Sequence, residues 1–196
     1  QGSAAGAVSL GAGTISAGSS LTVSSGTAVT LGNTTAGSSV TISGVSGAIT
    51  QQAGTTLNTS VLSAVTSGGA ITLGNATNVI ATLASVSSPS GGVTIVDSAD
   101  GLYISQAVSA GTGALDIRTA GGGISTTSTS AMSGNGITLK AAGASSDISL
   151  AASLNAGSGA LLLEAGLDVA FAATGSMGVS AGSATMVMAT TASILP

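Results

Sequence analysis

The sequence predicts an all-β protein, a parallel β-helix (β-solenoid) with about 22 residues and three short strands per coil. Three observations carry that prediction. One phrase, represented by Gly69-Ala70-Ile71-Thr72-Leu73, returns along the chain at a nearly fixed interval. Its apolar third residue appears as Val8, Val29, Ile49, Ile71, Val93, Leu115, Ile137 and Leu161, at steps of 21, 20, 22, 22, 22, 22 and 24 residues. Inside each phrase apolar and hydroxyl side chains alternate, which is the period of a strand with one face buried. The rest of the chain is dense in Gly, Ser, Thr and Val, a composition hostile to helices.

Taken in order, the first strand of each coil is the phrase itself, as in Val29-Thr30-Leu31, Ile71-Thr72-Leu73, Val93-Thr94-Ile95 and Ile137-Thr138-Leu139. Gly47, Gly68-Gly69, Gly91-Gly92, Gly113 and Gly159 precede these strands and are read as suppliers of the backbone freedom of a turn. A second series of the same period runs through Val40, Val61, Leu83, Leu102, Ile124, Ile148 and Val169, and a third through Val45, Val65, Val86, Val108, Met132 and Leu154. An antiparallel sandwich also has evenly spaced short strands, but it does not require the same phrase at every third one. Stacking at about 4.8 Å per coil gives eight or nine coils and a rod of about 40 Å. Each coil buries little alone, so neighbours supply the core and stability is roughly additive along the rod. Residues 1–196 therefore read as one solenoid domain. Register breaks after Leu161, where Met177, Met186 and Met188 enter, and 170–196 is expected to form an irregular last coil or a cap.

Composition narrows function by exclusion. Charged residues are 4% and aromatic residues 1%, with no Cys, His or Trp. Arg118 and Lys140 are the only bases, so no basic patch can neutralise phosphates, and nucleic acid is not an expected partner. Without His, a Ser-His-Asp arrangement and a histidine-bound zinc are excluded; without Cys, so are disulfides and a thiol nucleophile. A mean hydropathy of +0.65 comes from scattered Ala and Val, and no run of about eighteen strongly apolar residues proposes a transmembrane segment. The first charged side chain is Asp97, so half of the chain has no side-chain ion and is wetted mainly by hydroxyls and backbone. That suits an extracellular or self-packed protein.

The phrases Val-Ser-Ala-Gly-Thr-Gly-Ala-Leu-Asp-Ile-Arg-Thr-Ala-Gly-Gly-Gly-Ile at 108–124 and Gly-Asn-Gly-Ile-Thr-Leu-Lys-Ala-Ala-Gly at 134–143 resemble repeats of filamentous haemagglutinin-like bacterial exoproteins, and the likeness covers most of residues 6–170. The resemblance implies a right-handed parallel β-helix, secretion through an outer-membrane partner, location at the bacterial cell surface, and an adhesin's structural role. The Asn-Pro-Asn motifs of that family's secretion domain are missing, since the prolines are Pro89 and Pro196. On this likeness the chain is an interior or carboxy-terminal piece.

Candidate chemistry is sparse. Asp97 and Asp100 could offer oxygens to calcium, but the nonapeptides of a calcium β-roll do not recur, and a turn or capping role is expected. Paired carboxylates for glycoside chemistry could be drawn from Asp97, Asp100, Asp116, Asp147, Glu164 and Asp168; sparse acids on a rod are ordinarily solvated, and neither enzyme activity nor a cofactor or metal is expected. Three sequons, at Asn33, Asn58 and Asn75, are no more than chance supplies when Ser and Thr make up about a third of the chain.

The surface feature that is not generic is the outward side of the first strand series. It stacks Ser9, Thr30, Thr50, Thr72, Thr94 and Thr138 in one column, interrupted by Asp116 and Leu162, beside a second column that includes Ala28, Ala48, Ala70 and Ala114. The expected function is a structural or adhesive module of a secreted fibre that spaces other domains or associates with its own kind, as a homo-oligomer or filament, through such a face or through the rod's ends. An ice-binding solenoid using the Ala/Thr face is the alternative, a carbohydrate-acting β-helix enzyme the remotest reading, and a host receptor is not specified by any residue.

Overall fold

The computed structural model describes residues 2–11, 13–98, 100–172, 179–182 and 194–195. These residues contain strands and turns and no helix, and every strand pairing among them is parallel. The chain is a β-solenoid of about seven turns, stacked about 22 residues apart.

The recurring phrase builds an eight-stranded sheet: Val8–Ser9, Val29–Leu31, Ile49–Gln51, Ile71–Leu73, Val93–Asp97, Leu115–Thr119, Ile137–Ala141 and Leu161–Ala165. Its register follows the repeat, with Val8 on Val29, then Ile49, Ile71, Val93, Leu115, Ile137 and Leu161. Ile71, Leu73, Val93, Ile95, Leu115, Ile117, Ile137 and Leu139 all point into the core and are buried. A buried Leu or Ile contributes roughly 1.5–3 kcal/mol, so a column of them is the main cohesive element between turns. The ladder extends one residue before each strand, where the N–H groups of Val29, Ile49, Ile71, Val93 and Leu115 donate to the carbonyls of Ala48, Ala70, Gly92, Ala114 and Gly136 at 2.9–3.0 Å.

The remaining two sides of each coil belong to one fifteen-stranded sheet. In the earlier coils the expected second and third strands are fused, as Asn33–Val45, Leu57–Thr66 and Val79–Ser87. From there on they separate, into Gly101–Ile104 and Val108–Ser109, then Gly123–Thr126 and Met132–Ser133, then Ile148–Leu150 and Leu154–Asn155. The cause is a corner that opens along the rod. Val40, Leu62, Leu83 and Ile104 form one inward column, and Ile42, Ala64, Val86 and Val108 the next. Between the two stand Thr41 in one coil, Ser63 in the following one, then Ala84-Ser85, and finally Ser105-Gln106-Ala107.

Two members of the expected second and third series do not face the core. Val61 pairs with Ser39 and Thr82 in an outward column, and Val65 is 36% exposed. Strand alternation is the reason: Leu62, Ala64 and Thr66 take the inward positions, so their odd-numbered neighbours face out. Beyond Leu161, strands Val179–Ser180 and Ile194–Leu195 stack on Leu154–Asn155 and Val169–Ala170. Met177, Met186 and Met188 lie outside the described residues.

The glycines that punctuate the repeat have a different cause from the turn freedom expected of them. Gly47, Gly69, Gly91, Gly113 and Gly159 do not have positive φ. A Cβ on any of them would fall within 3.0 Å of backbone atoms of the preceding coil, at Thr27, Ala48, Ala70, Gly92 and Gly136 respectively. Turns pass here backbone on backbone, and only the residue without a side chain fits. Gly92, with φ of 81°, is the member of the Gly91-Gly92 pair that does meet the turn expectation.

Candidate functional site

Register places the predicted face where the sequence puts it. Ser9, Thr30, Thr50, Thr72, Thr94, Asp116, Thr138 and Leu162 are successive partners in one column on the outer side of the eight-stranded sheet. Ser9 and Thr72 are exposed and Thr30, Thr50, Thr94 and Thr138 half-buried. Thr30 and Thr50 join their hydroxyls at 3.2 Å, and the Thr50 hydroxyl also donates to the Val29 carbonyl at 3.4 Å. In the neighbouring column Ala28, Ala48 and Ala70 are half-buried and Ala114 exposed. Side chains this short leave the sheet nearly flat.

Over the coils of Ser9 to Thr94 this face has no charged side chain, but the later coils are charged. Asp116 and Arg118, on one strand, form a bidentate pair, Nε to Oδ1 at 2.8 Å and Nη2 to Oδ2 at 2.7 Å. Lys140 Nζ reaches Glu164 Oε1 on the next coil at 2.6 Å. Hydrogen bonding to Asp116, reinforced by its charge, holds the Arg118 guanidinium above its ordinary pKa, so that cation stays charged at any working pH. Both bases of the chain thus sit on this one sheet, each matched to an acid beside it. The face is uncharged at one end and ion-paired at the other.

The expectation that the sparse acids are solvated fails at Asp97, which is fully buried. It follows Val96 at the end of a strand, on the inward side, and its Oδ1 accepts the backbone N–H of Ile80 in the preceding coil at 2.8 Å. A capping role is therefore what the structure shows. One coil earlier the same corner holds Asn78, also fully buried. Its amide pairs reciprocally with that of Gln51, at 2.7 and 2.9 Å, accepts from Leu57 N–H at 2.9 Å, and donates to the carbonyls of Leu73 and Val96 at 3.1 and 3.2 Å. A buried polar group is tolerable only when it is bonded in this way. The sequence reading passed over both Gln51 and Asn78; the sign of them was Gln51 standing where every other described coil from Leu31 to Leu163 has Leu or Ile.

A second polar seam ties three of the coils to the ones before them, at the corner that precedes the eight-stranded sheet. Ser25, Thr66 and Ser88 are buried, and their hydroxyls donate to the carbonyls of Gly6, Gly47 and Gly69 at 2.7, 2.6 and 2.8 Å. The same oxygens accept from Thr27, Gly68 and Gly91 N–H. Among the described residues no three Asp, Glu, His or Cys side chains stand together as a metal site, and no helix is long and apolar enough to cross a membrane. Compared with protein-family models, with curated proteins and with solved structures, the chain finds no match.

Proposed function

We propose that this chain is a non-enzymatic structural module of a surface fibre, a stiff rod that associates laterally with further copies through the outer side of its eight-stranded sheet. The observation that carries this reading is the unbroken column from Ser9 to Thr94, with the Ala column beside it, on a face free of charge over those coils. Exposed β-surfaces are ordinarily kept apart by charged side chains, lysine above all. Here nothing on that half of the face opposes a second copy, and on the other half each charge is already neutralised by a neighbour. Secretion and a place at the bacterial cell surface come from the resemblance in the repeats, and an adhesive role from the same source.

Replacing Thr30, Thr50, Thr72 and Thr94 by Lys tests the proposal. The four positions face out, so the fold persists, while ammonium groups about 4.8 Å apart along the rod repel an approaching copy. Sedimentation velocity and light scattering over a concentration series should show the parent associating and the variant monomeric. A parent that stays monomeric, or a variant that assembles equally well, overturns it. Thermal hysteresis measured on the same parent decides the ice-binding use of this face, against which the Thr30–Thr50 hydroxyl bond counts, since it occupies groups that would order water.

A further inference from the structure

The geometry points to a groove along the corner that follows the eight-stranded sheet in each coil, and we propose that it binds a linear oligosaccharide bearing amino groups. Two depressions, of about 390 and about 280 Å³, adjoin at Asp100 and Gly101. Together they follow the rod through five coils, from Asn58 and Ser60 past Val79 to Gly101, Gly123 and Asp147. Four steps of about 4.8 Å make this a track of about 19 Å. Its floor includes Gly101 and Gly123, which carry no side chain. Gly123 could not carry one, since its Cβ would lie 2.6 Å from the Asp147 carbonyl oxygen, and Gly101, at φ of 140°, is in a conformation other residues avoid.

Three features of the walls define the ligand. Tyr103, the only tyrosine of the chain, is 43% exposed at the edge of the larger depression, and an exposed ring of this kind offers an apolar face with a polar tip. Asn58, Ser60, Ser125 and Ser149 supply amide and hydroxyl groups on either side, suited to a ring rimmed by hydroxyls. The charge is one-signed. The Asp116–Arg118 and Lys140–Glu164 pairs cancel, so the formal net charge of -4 rests on the four other acids: Asp97, buried under this corner, and Asp100, Asp147 and Asp168 at it. No base of the described chain faces them. The carboxylates of Asp100 and Asp147 belong to coils two steps apart, and the stretch between them is floored by glycine. A linear chain laid along the groove, stacking a sugar ring on Tyr103 and presenting ammonium groups to the two carboxylates, meets all three features; a neutral chain leaves the charge unanswered, and a bare polyamine leaves the ring unused. Asp147 is far from Asp100 and Tyr103 in the sequence and joins them only through the stacking.

This site is separate from the packing face, so either proposal can fail alone. The probe is the hexamer of β-1,4-linked glucosamine, titrated calorimetrically into the full chain at low salt, with the fully N-acetylated hexamer and spermidine as comparisons. Binding of the glucosamine hexamer, weakened about tenfold by Tyr103→Ala and about tenfold by the double variant Asp100→Asn, Asp147→Asn, supports the proposal, provided both variants melt with the parent. Asn at 147 keeps the oxygen that accepts Asp168 N–H at 3.1 Å, and these side chains are exposed, so no unfolding is expected. No binding at millimolar hexamer, unchanged binding by either variant, or equal affinity for the acetylated hexamer or for spermidine overturns it.

Discussion

The residues that decide this fold are the ones with the least chemistry. Gly69 and Gly91 sit where one turn of backbone rests on another, and a single methyl group at either would overlap the backbone nitrogen of Ala48 or Ala70. Gly91→Ala is therefore expected to cost about 3 kcal/mol or more by overpacking. Gly18→Ala, at a glycine with nothing near its missing Cβ and no positive φ, should stay within about 0.5 kcal/mol of the parent; urea denaturation of the two compares them directly. The buried corner is a second sensitive place. Asn78→Ala strips partners from Gln51, from Leu57 N–H and from two carbonyls at once, and a loss of about 3 kcal/mol follows from leaving such groups unsatisfied. Asp97→Asn keeps an oxygen for Ile80 N–H and should cost clearly less than Asp97→Ala in the same denaturation experiment.

At the scale of the strand, the eight-stranded sheet puts one apolar column inside and one hydroxyl column outside, and substitutions should divide accordingly. Ile71→Asp places a carboxylate between Ile49 and Val93 with no partner, a cost of several kcal/mol. Thr72→Asp, one residue on, should leave the thermal midpoint within a few degrees of the parent by circular dichroism. This sheet was legible in the sequence because its strands are short and follow a glycine, so that the repeating phrase and the structural register coincide at Val8, Val29, Ile49 and onward. The other sheet was legible only in outline. Its apolar residues repeat, but register shifts between Ala36 and Ser39 and between Ile42 and Val45 against the next coil make the spacing uneven, so hydrophobicity alone selected Val61 and Val65 where parity selects Leu62, Ala64 and Thr66. The groove was hidden for a related reason: Gly101 and Gly123 read as turn residues, and their second role as a floor depends on which coils lie above and below.

For the whole molecule, modularity follows from contacts made almost wholly between adjacent turns. Deleting residues 115–136 removes one complete coil together with both members of the Asp116–Arg118 pair, and lets Ile137 stack on Val93. That chain should fold and unfold at lower denaturant with a smaller m-value. Deleting only residues 115–125 puts the next strand out of phase with its neighbour and should abolish cooperative unfolding. The direction of the ladder has a mechanical consequence. Inter-coil hydrogen bonds, such as Ile49 N–H to Ala70 C=O and Ile71 N–H to Gly92 C=O, run along the rod, so tension applied at its two ends loads them in series, and the turns peel away one after another. Each occupies about 4.8 Å of rod, yet about 22 residues drawn out straight span roughly 75 Å. Pulled in a single-molecule instrument, the rod should lengthen in steps of roughly 70 Å at nearly even force, acting as a tether that yields by many times its resting length before its last turn is lost.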